Sequence, residues 1–475
     1  MKFSVTTLGC KVNQFESQSI EGILVSRGHI MTETGRECDI CVVNTCAVTA
    51  ESVRKSKQMI RRLKKLAPNA LIAVCGCCSQ LELEIIKKLG ADLIGGTGDR
   101  QGFAIEMERL FDRKQNECLV FSDDPFERTF FEELPPGPGR GRTRAMLKIQ
   151  DGCDNYCAYC VVPYARGNSR SLPIARVAEH SRRLSEEGYR EIVTTGIEIS
   201  SYGKDLPGVP VLFDAPHPHG TPMLFDAPHP LETPVFADTI PSLPDALAAI
   251  SAAAPNTRIR LGSLDPSAIN EGFCIKLSGI PNLCNHFHIS LQSGCDETLS
   301  RMGRKYDTND VRGAMALLRA IFPGCAITAD LIAGFPGETD GEFACTMDFI
   351  KESAFSDMHI FPFSSRPGTP AAEMPNQIDK SVKRERARLA ADLAAEMAQS
   401  FKLSQIGKTV GVLFERESNG IWLGHSENYL EIAVEKALCG LNAIERNSIL
   451  PVKITAVEDG RVVGAVVCPE DTIQT

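Results

Sequence analysis

Short apolar runs alternate with amphipathic helical patterns over the first 120 residues of the chain. Helical spacing of apolar positions covers roughly 14–27 and 50–66. The apolar runs, which are typical of buried parallel strands, are FSVTTL (3–8), ICVVNT (40–45) and LIAVCG (71–76). This alternation predicts a doubly wound α/β domain over 1–120, in which ligands bind beyond the carboxyl ends of the strands.

A second alternating series follows residues 122–143, which are acidic and then rich in Pro, Gly and Arg, as linkers are. Helical patterns such as 174–188 and 309–322 separate six strand-like runs. These runs are AMLKIQ (145–150), EIVTTGI (191–197), RIRLGSL (258–264), HFHISLQ (286–292), AITADLIAGF (326–335) and MHIFPF (358–363). They predict an open, partial (β/α) barrel over 139–375, with its site at the carboxyl ends of the strands.

The last part of the chain predicts a third domain. A long helical pattern covers 379–404, and five short alternating runs follow it, at 409–415, 420–425, 429–435, 450–458 and 461–467. These runs predict a small β-barrel over 404–470. Three domains also fit the 475 residues, at roughly 150 residues per domain.

A tandem duplication interrupts the central series. PVLFDAPHPHGT (210–221) is nearly repeated by PMLFDAPHPLET (222–233). Two copies are too few for a solenoid, so the segment is interpreted as an insertion loop. Its histidines, His217, His219 and His229, follow no recognised metal-ligand spacing.

Composition narrows the function classes. The net charge is −9, so any nucleic-acid site must be a local basic patch. No apolar run reaches the length of roughly 18 residues that spans a membrane, and the first residues lack the pattern of a signal peptide. We therefore expect a cytoplasmic protein in a reducing compartment, where its 18 cysteines are not mainly disulfides.

Three cysteines each come just after one of the N-terminal strands: Cys10, Cys46 and Cys77. Because the carboxyl ends of parallel strands meet at one edge, these thiols are expected to converge. Cys75 and Cys78 flank the third position and compete with it. Ten other cysteines are interpreted as small buried hydrophobic residues: Cys38, Cys41, Cys118, Cys274, Cys284, Cys295, Cys325, Cys345, Cys439 and Cys468.

A second group, Cys153, Cys157 and Cys160, has C-x3-C-x2-C spacing directly after the first strand of the central series. Thiolates hold iron–sulfur clusters, normally four to a cluster, so three leave one iron open for a further ligand. A zinc site completed by a distant residue is the alternative.

With an aromatic residue before its last cysteine, this spacing resembles the radical S-adenosylmethionine (SAM) superfamily. The longer strings DGCDNYCAYCVVPYARGNSRS and TLGCKVNQFES resemble its methylthiotransferases, and TLGCKVNQ is most similar to those acting at C2 of N6-threonylcarbamoyladenosine in tRNA. The resemblance continues through HFHISLQSG, RMGRKY, DLIAGFPGET and FPFSSRPGTPAA, and it covers nearly the whole chain outside 205–245.

The resemblance implies two 4Fe–4S clusters. One would be held by Cys153, Cys157 and Cys160 and would chelate SAM for reductive cleavage to a 5′-deoxyadenosyl radical. The other would be held by Cys10, Cys46 and Cys77, and would present the sulfur that is methylated and inserted. The implied partners are tRNA, SAM and a low-potential electron donor of the flavodoxin or ferredoxin type.

The resemblance also implies contacts to SAM. Gly196 matches a glycine at the end of the second barrel strand, although Glu198 departs from the His or Asn expected nearby. Ile332, Gly334 and Glu338 match the stretch that packs on the adenine. An ordinary strand followed by a Gly-Pro turn would give the same pattern.

Two basic runs are candidate RNA contacts, at 54–65 and at 380–388. Each could also be a solvated helix face. The C-terminal barrel resembles the TRAM RNA-binding domain, which favours phosphate contact. Three other functions are considered: methylthiolation of isopentenyladenosine in tRNA, methylthiolation of a ribosomal-protein aspartate, and non-catalytic RNA binding by a zinc protein.

Overall fold

The computed structural model describes residues 1–34, 37–113, 117–137, 143–206, 240–435 and 444–467. The duplicated segment 210–233, with its three histidines, lies outside the described residues. Among the described helices, none is both long enough and apolar enough to cross a membrane.

The N-terminal sheet is parallel throughout and has six strands in the order β2-β1-β3-β4-β5-β6. Its strands are β1 (Lys2–Thr7), β2 (Ile30–Met31), β3 (Ile40–Thr45), β4 (Leu71–Gly76), β5 (Leu93–Gly95) and β6 (Leu119–Phe121). Every residue of β3 is buried, as expected where helices cover both faces of a sheet. The predicted doubly wound α/β fold is confirmed.

Five helices surround this sheet. They are α1 (Lys11–Ser26), α2 (Ala50–Leu66), α3 (Cys77–Leu81), α4 (Leu83–Lys88) and α5 (Arg100–Arg113). The α2 helix begins where predicted because the Thr49 side chain accepts a hydrogen bond from the Ser52 N–H. The predicted 14–27 helix begins three residues earlier, at Lys11, so Cys10 lies at its N-terminus.

The central domain contains the predicted six-strand succession. Its strands are β7 (Arg144–Lys148), β8 (Gln150–Asp151), β9 (Arg170–Ser171), β10 (Glu191–Thr195), β11 (Arg258–Arg260), β12 (Ser263–Leu264), β13 (His286–Gln292), β14 (Ala326–Ala333) and β15 (Asp357–Pro362). Two parallel sheets follow one another, β7-β10-β11 and β12-β13-β14-β15. The single strand predicted over 258–264 is wrong, because it divides between the two sheets.

Helices cover the outside of this partial barrel and connect it to the C-terminal domain. They are α6 (Val162–Arg166), α7 (Ile174–Glu186), α8 (Leu243–Ala253), α9 (Glu271–Ser278), α10 (Asp296–Arg301), α11 (Thr308–Ile321), α12 (Asp340–Ser353), α13 (Pro370–Glu373) and α14 (Lys380–Leu403). Strand residues such as Phe287, Ile289 and Leu291 pack against the helices in one large core, which leaves the alternate residues facing the lumen.

The C-terminal domain is a closed barrel of five strands, as predicted. They are β16 (Thr409–Ser418), β17 (Ile421–Ser426), β18 (Glu431–Glu435), β19 (Ile449–Glu458) and β20 (Arg461–Val466). Two buried arginines of β11 fasten this barrel to the central domain. Arg258 donates to the carbonyl oxygens of Gly411 and His425, and Arg260 to those of Ser426 and Glu427.

A buried cluster of charges joins the N-terminal and central domains. Glu16 on α1 has no exposed surface, and its carboxylate lies 2.8 Å from Arg166 Nη1, 3.0 Å from Arg100 Nη2 and 3.4 Å from Lys148 Nζ. Asp151 pairs with Arg166 at 3.0 Å. Burial would raise the pKa of Glu16, but the three cations lower it to about 2.

Replacing Glu16 by glutamine is therefore expected to destabilise the fold strongly. Removing one partner of a buried ion pair costs roughly 3–5 kcal/mol, because the remaining charges stay buried and uncompensated. The lowered pKa of Glu16 also makes the free energy of unfolding depend on pH. The stabilisation by Glu16 is complete above the unfolded-state pKa of about 4.5 and disappears as the pH falls toward about 2.

Urea unfolding of wild type and Glu16→Gln at pH 7 and pH 3 measures both effects. Because the stabilisation by Glu16 in the wild type is partly lost in acid, the difference in the free energy of unfolding between the two proteins should be smaller at pH 3. An equal difference at both pH values would contradict the ionised state assigned to Glu16.

Candidate iron–sulfur and SAM site

The loop that carries Cys153, Cys157 and Cys160 lies just beyond β8, at the carboxyl end of the first barrel strand. Its backbone is fixed by hydrogen bonds from the Cys153 N–H to the Gly167 carbonyl at 3.0 Å and from Cys160 to Cys157 at 2.9 Å. Gly152 has a φ of +72°, and a Cβ there would lie 1.9 Å from the Asn168 carbonyl oxygen. Only glycine fits this tight entry to the loop.

The three thiols of this loop have surroundings suited to iron ligands. Burial raises the pKa of Cys153 and that of Cys160 to about 12, and both thiols interact electrostatically with Cys157. Arg304 Nη1 donates to Cys157 Sγ at 3.1 Å, and the Val162 N–H to Cys160 Sγ at 3.4 Å. Donors aimed at sulfur stabilise thiolates once bound iron replaces their protons, so this donor set fits a cluster.

The structure brings together the three N-terminal thiols as well. Cys10 lies at the start of α1, Cys46 just after β3, and Cys77 at the start of α3. A Cβ added to Gly9 would lie 3.2 Å from Cys46 Sγ, so the loop before α1 packs directly on that thiol. Burial, with smaller contributions from Cys46 and Cys10, raises the pKa of Cys77 to about 12.

The neighbours of Cys77 face elsewhere. Cys75 lies in the core between the sheet and α1 and interacts with Arg100. Cys78 interacts mainly with Glu82 and Lys57 on the other side of α3. Cys77 is thus the member of this run that shares its surroundings with Cys10 and Cys46.

The short helix α6 lies between the two thiol groups. Ala165 of this helix packs in the same core as Cys77, and so does Val161, which directly follows Cys160 and precedes the helix. Arg166, at the end of α6, interacts electrostatically with Cys10 and Cys77. Cys10 keeps solvent-accessible surface, and the partial desolvation of its thiol raises its pKa.

The predicted SAM-contact residues have distinct surroundings. Gly196 follows β10, and a Cβ there would lie 2.8 Å from the Gln150 side-chain oxygen. That oxygen accepts the N–H groups of Ile197 and Glu198, which fixes the strand end beside the cysteine loop. Ile332 packs on the apolar cluster that includes Tyr159.

Gly334 and Glu338 lie in the turn after β14. The buried Glu338 carboxylate accepts the Gly334 N–H at 2.8 Å and pairs with Arg386 at 2.7 Å. Gly334 has a φ of +76°, and α14 packs directly on it through Lys383. Both residues shape the turn, and a direct contact of Glu338 with SAM stays a prediction.

A polar group beside the cysteine loop was not assigned from the sequence. Burial and the neighbouring Asp265 raise the pKa of Glu198 to about 7. Asp265 pairs with Arg304 at 2.8 Å, and Asn155 donates to Glu198 at 3.4 Å. The departure of Glu198 from the family pattern was the available clue, whereas Asp265 and Arg304 stand too far apart in the sequence to be connected.

Two other groups of predicted residues are now placed. The 380–388 run is engaged only in part: the buried Arg386 pairs with Glu338, and the exposed Arg388 pairs with Glu385 and Asp392 along α14. In the 54–65 run on α2, no acidic side chain of the described residues lies within ion-pair distance of the exposed residues Arg61, Arg62 and Lys65.

Some cysteines interpreted as buried and isolated are not so. Cys345 is exposed. Cys38 and Cys41 lie with their sulfurs 2.9 Å apart, since the strand after residue 39 turns both thiols to one side. Cys439 and Cys468 lie outside the described residues.

Comparison with known proteins agrees with this geometry. Residues 2–96 match the model of the Uncharacterized protein family UPF0004, and residues 147–350 match the Radical SAM superfamily. The threonylcarbamoyladenosine tRNA methylthiotransferase MtaB of Bacillus subtilis is 33% identical over 432 residues, covering 90% of this chain and 88% of the relative. The chain belongs to the radical SAM methylthiotransferase family.

Other members of this methylthiotransferase family are similar over comparable lengths. The Thermotoga maritima MtaB is 34% identical over 429 residues, or 90% of each chain. The tRNA-2-methylthio-N(6)-dimethylallyladenosine synthase of Pelotomaculum thermopropionicum is 31% identical and covers 88% of this chain and 87% of its own.

A solved structure has a fold similar to that of this methylthiotransferase. The radical SAM methyltransferase TsrM of Kitasatospora setae, solved with cobalamin and a [4Fe-4S] cluster, superimposes with a TM-score of 0.53 at 14% identity. The match covers 89% of this chain and 80% of TsrM.

Proposed function

We propose that this enzyme inserts a methylthio group at C2 of N6-threonylcarbamoyladenosine next to the anticodon of a tRNA. The observation that carries the proposal is the meeting of two thiol triplets at the two sides of α6. The names of the MtaB relatives support the same substrate.

In this proposal, Cys153, Cys157 and Cys160 hold a 4Fe–4S cluster with one iron open to SAM, and Cys10, Cys46 and Cys77 hold a second one. Bound there, the clusters supply the electron that cleaves SAM and the sulfur that is inserted. A C2–H of adenine is unactivated, so acid–base groups of the protein alone would not replace it.

The chain's own residues position these components. Gly196 and Ile332 border the space next to the cysteine loop, where SAM is expected, and Glu198 and Asp265 supply negative charge there. The exposed arginines of α2 are the preferred phosphate contacts, and a flavodoxin- or ferredoxin-type donor would supply electrons in the cytoplasm.

Nucleoside mass spectrometry of tRNA tests this function. A strain lacking the gene should accumulate threonylcarbamoyladenosine without its 2-methylthio derivative, and the wild-type gene should restore it. A matched Cys157→Ala gene should not restore it, whereas Cys274→Ala, a change at a thiol in the apolar core, should.

Other outcomes of the same experiment would point to the competing functions. Loss of 2-methylthio-dimethylallyladenosine instead would indicate the substrate of the second group of relatives. Unchanged tRNA nucleosides, together with zinc in place of iron and acid-labile sulfide, would indicate a non-catalytic RNA-binding protein.

A further inference from the structure

A polar group lies inside the barrel lumen, apart from the cysteine loop. His286 and His288 lie on β13, Thr328 and Asp330 on β14, and His359 on β15. In the sheet register His288 is opposite Thr328, and Asp330 is opposite His359, so these side chains stand side by side on one face. That face is the lumen, because the alternate residues pack in the core.

The side chains of this group are in contact. His288 Nε2 lies 3.2 Å from Asp330 Oδ2, and its Nδ1 lies 2.8 Å from Thr328 Oγ1. One ligand atom from each of His288, Asp330 and His359 lies within 4.8 Å of the others. His359 is exposed to the lumen and His288 is half-buried, so a ligand entering the lumen would reach both.

Lys11 adds a positive charge to the same lumen from the N-terminal domain. It follows Cys10 directly and is solvent-accessible, and burial lowers its pKa. Its ammonium group is attracted by Tyr429 and Asp330 and repelled by Arg260 and Arg144. In the described part of the chain, no carboxylate lies within ion-pair distance of its Nζ. The other lumen cations are compensated, Arg260 by Glu191 at 2.7 Å and Arg144 by Glu415 at 3.1 Å.

The polar group of His288, Asp330 and His359 lies on the same strands as residues that contact the cysteine loop. Two residues beyond His288, the Ser290 carbonyl accepts a hydrogen bond from Tyr306, whose ring packs under Arg304, the donor to Cys157. Two residues along a strand span about 6.6 Å. His288 is therefore connected to the cysteine loop through Ser290, Tyr306 and Arg304, and it lies nearer the amino end of the strands than that loop does.

We propose that Lys11, His288, Asp330 and His359 bind the ionised amino-acid side group on N6 of the substrate adenine. This inference rests on the function proposed above and concerns the same site. Lys11 and His359 face the carboxylate of that group, while Asp330, held by His288, accepts its urea N–H or hydroxyl. An apolar dimethylallyl group would displace water from Lys11 and His359 without offering either of them a hydrogen-bond partner.

Two histidines and one carboxylate are also a known ligand set for transition metals. A cation is the less favoured occupant, because the uncompensated charge of Lys11 acts on the same carboxylate, Asp330. An anionic ligand is attracted by that charge and can accept hydrogen bonds from the imidazole N–H groups. The electrostatics of the lumen thus favour the carboxylate-bearing side group over a metal ion.

Binding and turnover of short RNAs by the reconstituted full-length enzyme test the proposal. Anticodon stem-loops would carry threonylcarbamoyladenosine, dimethylallyladenosine or plain adenosine. Losing a charge-assisted hydrogen bond weakens binding about tenfold to a hundredfold, so Lys11→Met and His359→Phe should each raise Kd and KM for the threonylcarbamoyl RNA by that factor. Binding of the plain RNA should stay unchanged, as should both values in the control Lys351→Met on the outer helix α12.

The outcomes separate this proposal from the proposed function. If the wild type modifies only the dimethylallyl RNA, the proposed function is wrong. If the wild type modifies the threonylcarbamoyl RNA and both variants bind it as tightly, the lumen site is wrong. Equally weakened binding of all three RNAs by the variants would also overturn the lumen site. So would equilibrium dialysis in which the wild type binds one Mn²⁺ per chain and His359→Phe binds none.

Discussion

Replacing Cys77 by alanine should leave reductive cleavage of SAM to 5′-deoxyadenosine intact and abolish methylthio insertion into tRNA. Cys77 lies with Cys10 and Cys46 in the N-terminal domain, whereas the predicted SAM contacts surround the loop of the other triplet. Replacing Cys157 by alanine should abolish both activities, because an insertion that depends on the radical cannot proceed without cleavage of SAM.

Iron content provides an independent readout for these two variants. After anaerobic reconstitution, two four-iron clusters give about eight irons per chain. Each single variant should retain at least the cluster of the other domain, about four. Loss of all iron from either variant would show that the two groups do not assemble independently.

The flanking thiols are matched controls for Cys77. Cys75→Ala and Cys78→Ala remove cysteines of the same strand end that face the core and the far side of α3. Both should keep insertion activity. If Cys78→Ala were inactive and Cys77→Ala active, the third ligand would be Cys78, and if Cys77→Ala still formed the product, the sulfur would come from elsewhere.

Replacing Arg304 by methionine should lower the rate of SAM cleavage about tenfold to a hundredfold, the usual effect of losing a group that supports a metal ligand. Arg304 donates to the Cys157 sulfur at 3.1 Å and to Asp265 at 2.8 Å. Methionine fills similar volume without a donor, so Cys157 would lose its charged partner and Asp265 its ion pair.

The control for this variant is Arg312→Met, which removes an arginine that pairs with Glu352 on the exposed side of the barrel helices. It should cleave SAM at the wild-type rate. The cleavage assay monitors 5′-deoxyadenosine with dithionite as the reductant, and circular dichroism confirms that both variants are folded. A wild-type rate for Arg304→Met would show that its contact to Cys157 has no role in the reaction.

The meeting of the thiols could be predicted because it depends only on strand order and direction. Each N-terminal cysteine follows a strand long enough to show its apolar pattern, and parallel neighbours bring their ends together. The strands β2, β5 and β6 were not predicted, because two or three residues carry no periodicity. The division of the predicted strand 258–264 into β11 and β12 was not foreseen from the pattern. Only the structure shows that Gly262, which lies between these strands, is in contact with the end of β10.

Charged contacts between distant residues could not be predicted. Glu16 sits in an amphipathic helix, where a glutamate suggests a solvent-facing position, yet its partner Arg166 is 150 residues away. The same limit hid the ion pair between Arg386 and Glu338, which removes one of the five basic side chains from the candidate nucleic-acid contact at 380–388. The histidines of β13 occupy alternate positions in the sequence, but the run was interpreted only as a strand, and no binding role was assigned to its histidines.

The contacts that dock the C-terminal barrel on the central domain affect how the barrel sequence can vary among related enzymes. Arg258 and Arg260 donate hydrogen bonds to four carbonyl oxygens of the barrel backbone. Every amino acid has such a carbonyl group, whatever its side chain. Docking at these points therefore depends on the path of the barrel's main chain and hardly on which side chains it carries. The outer surface of the barrel can therefore change its sequence while the barrel stays docked at the same place on the central domain.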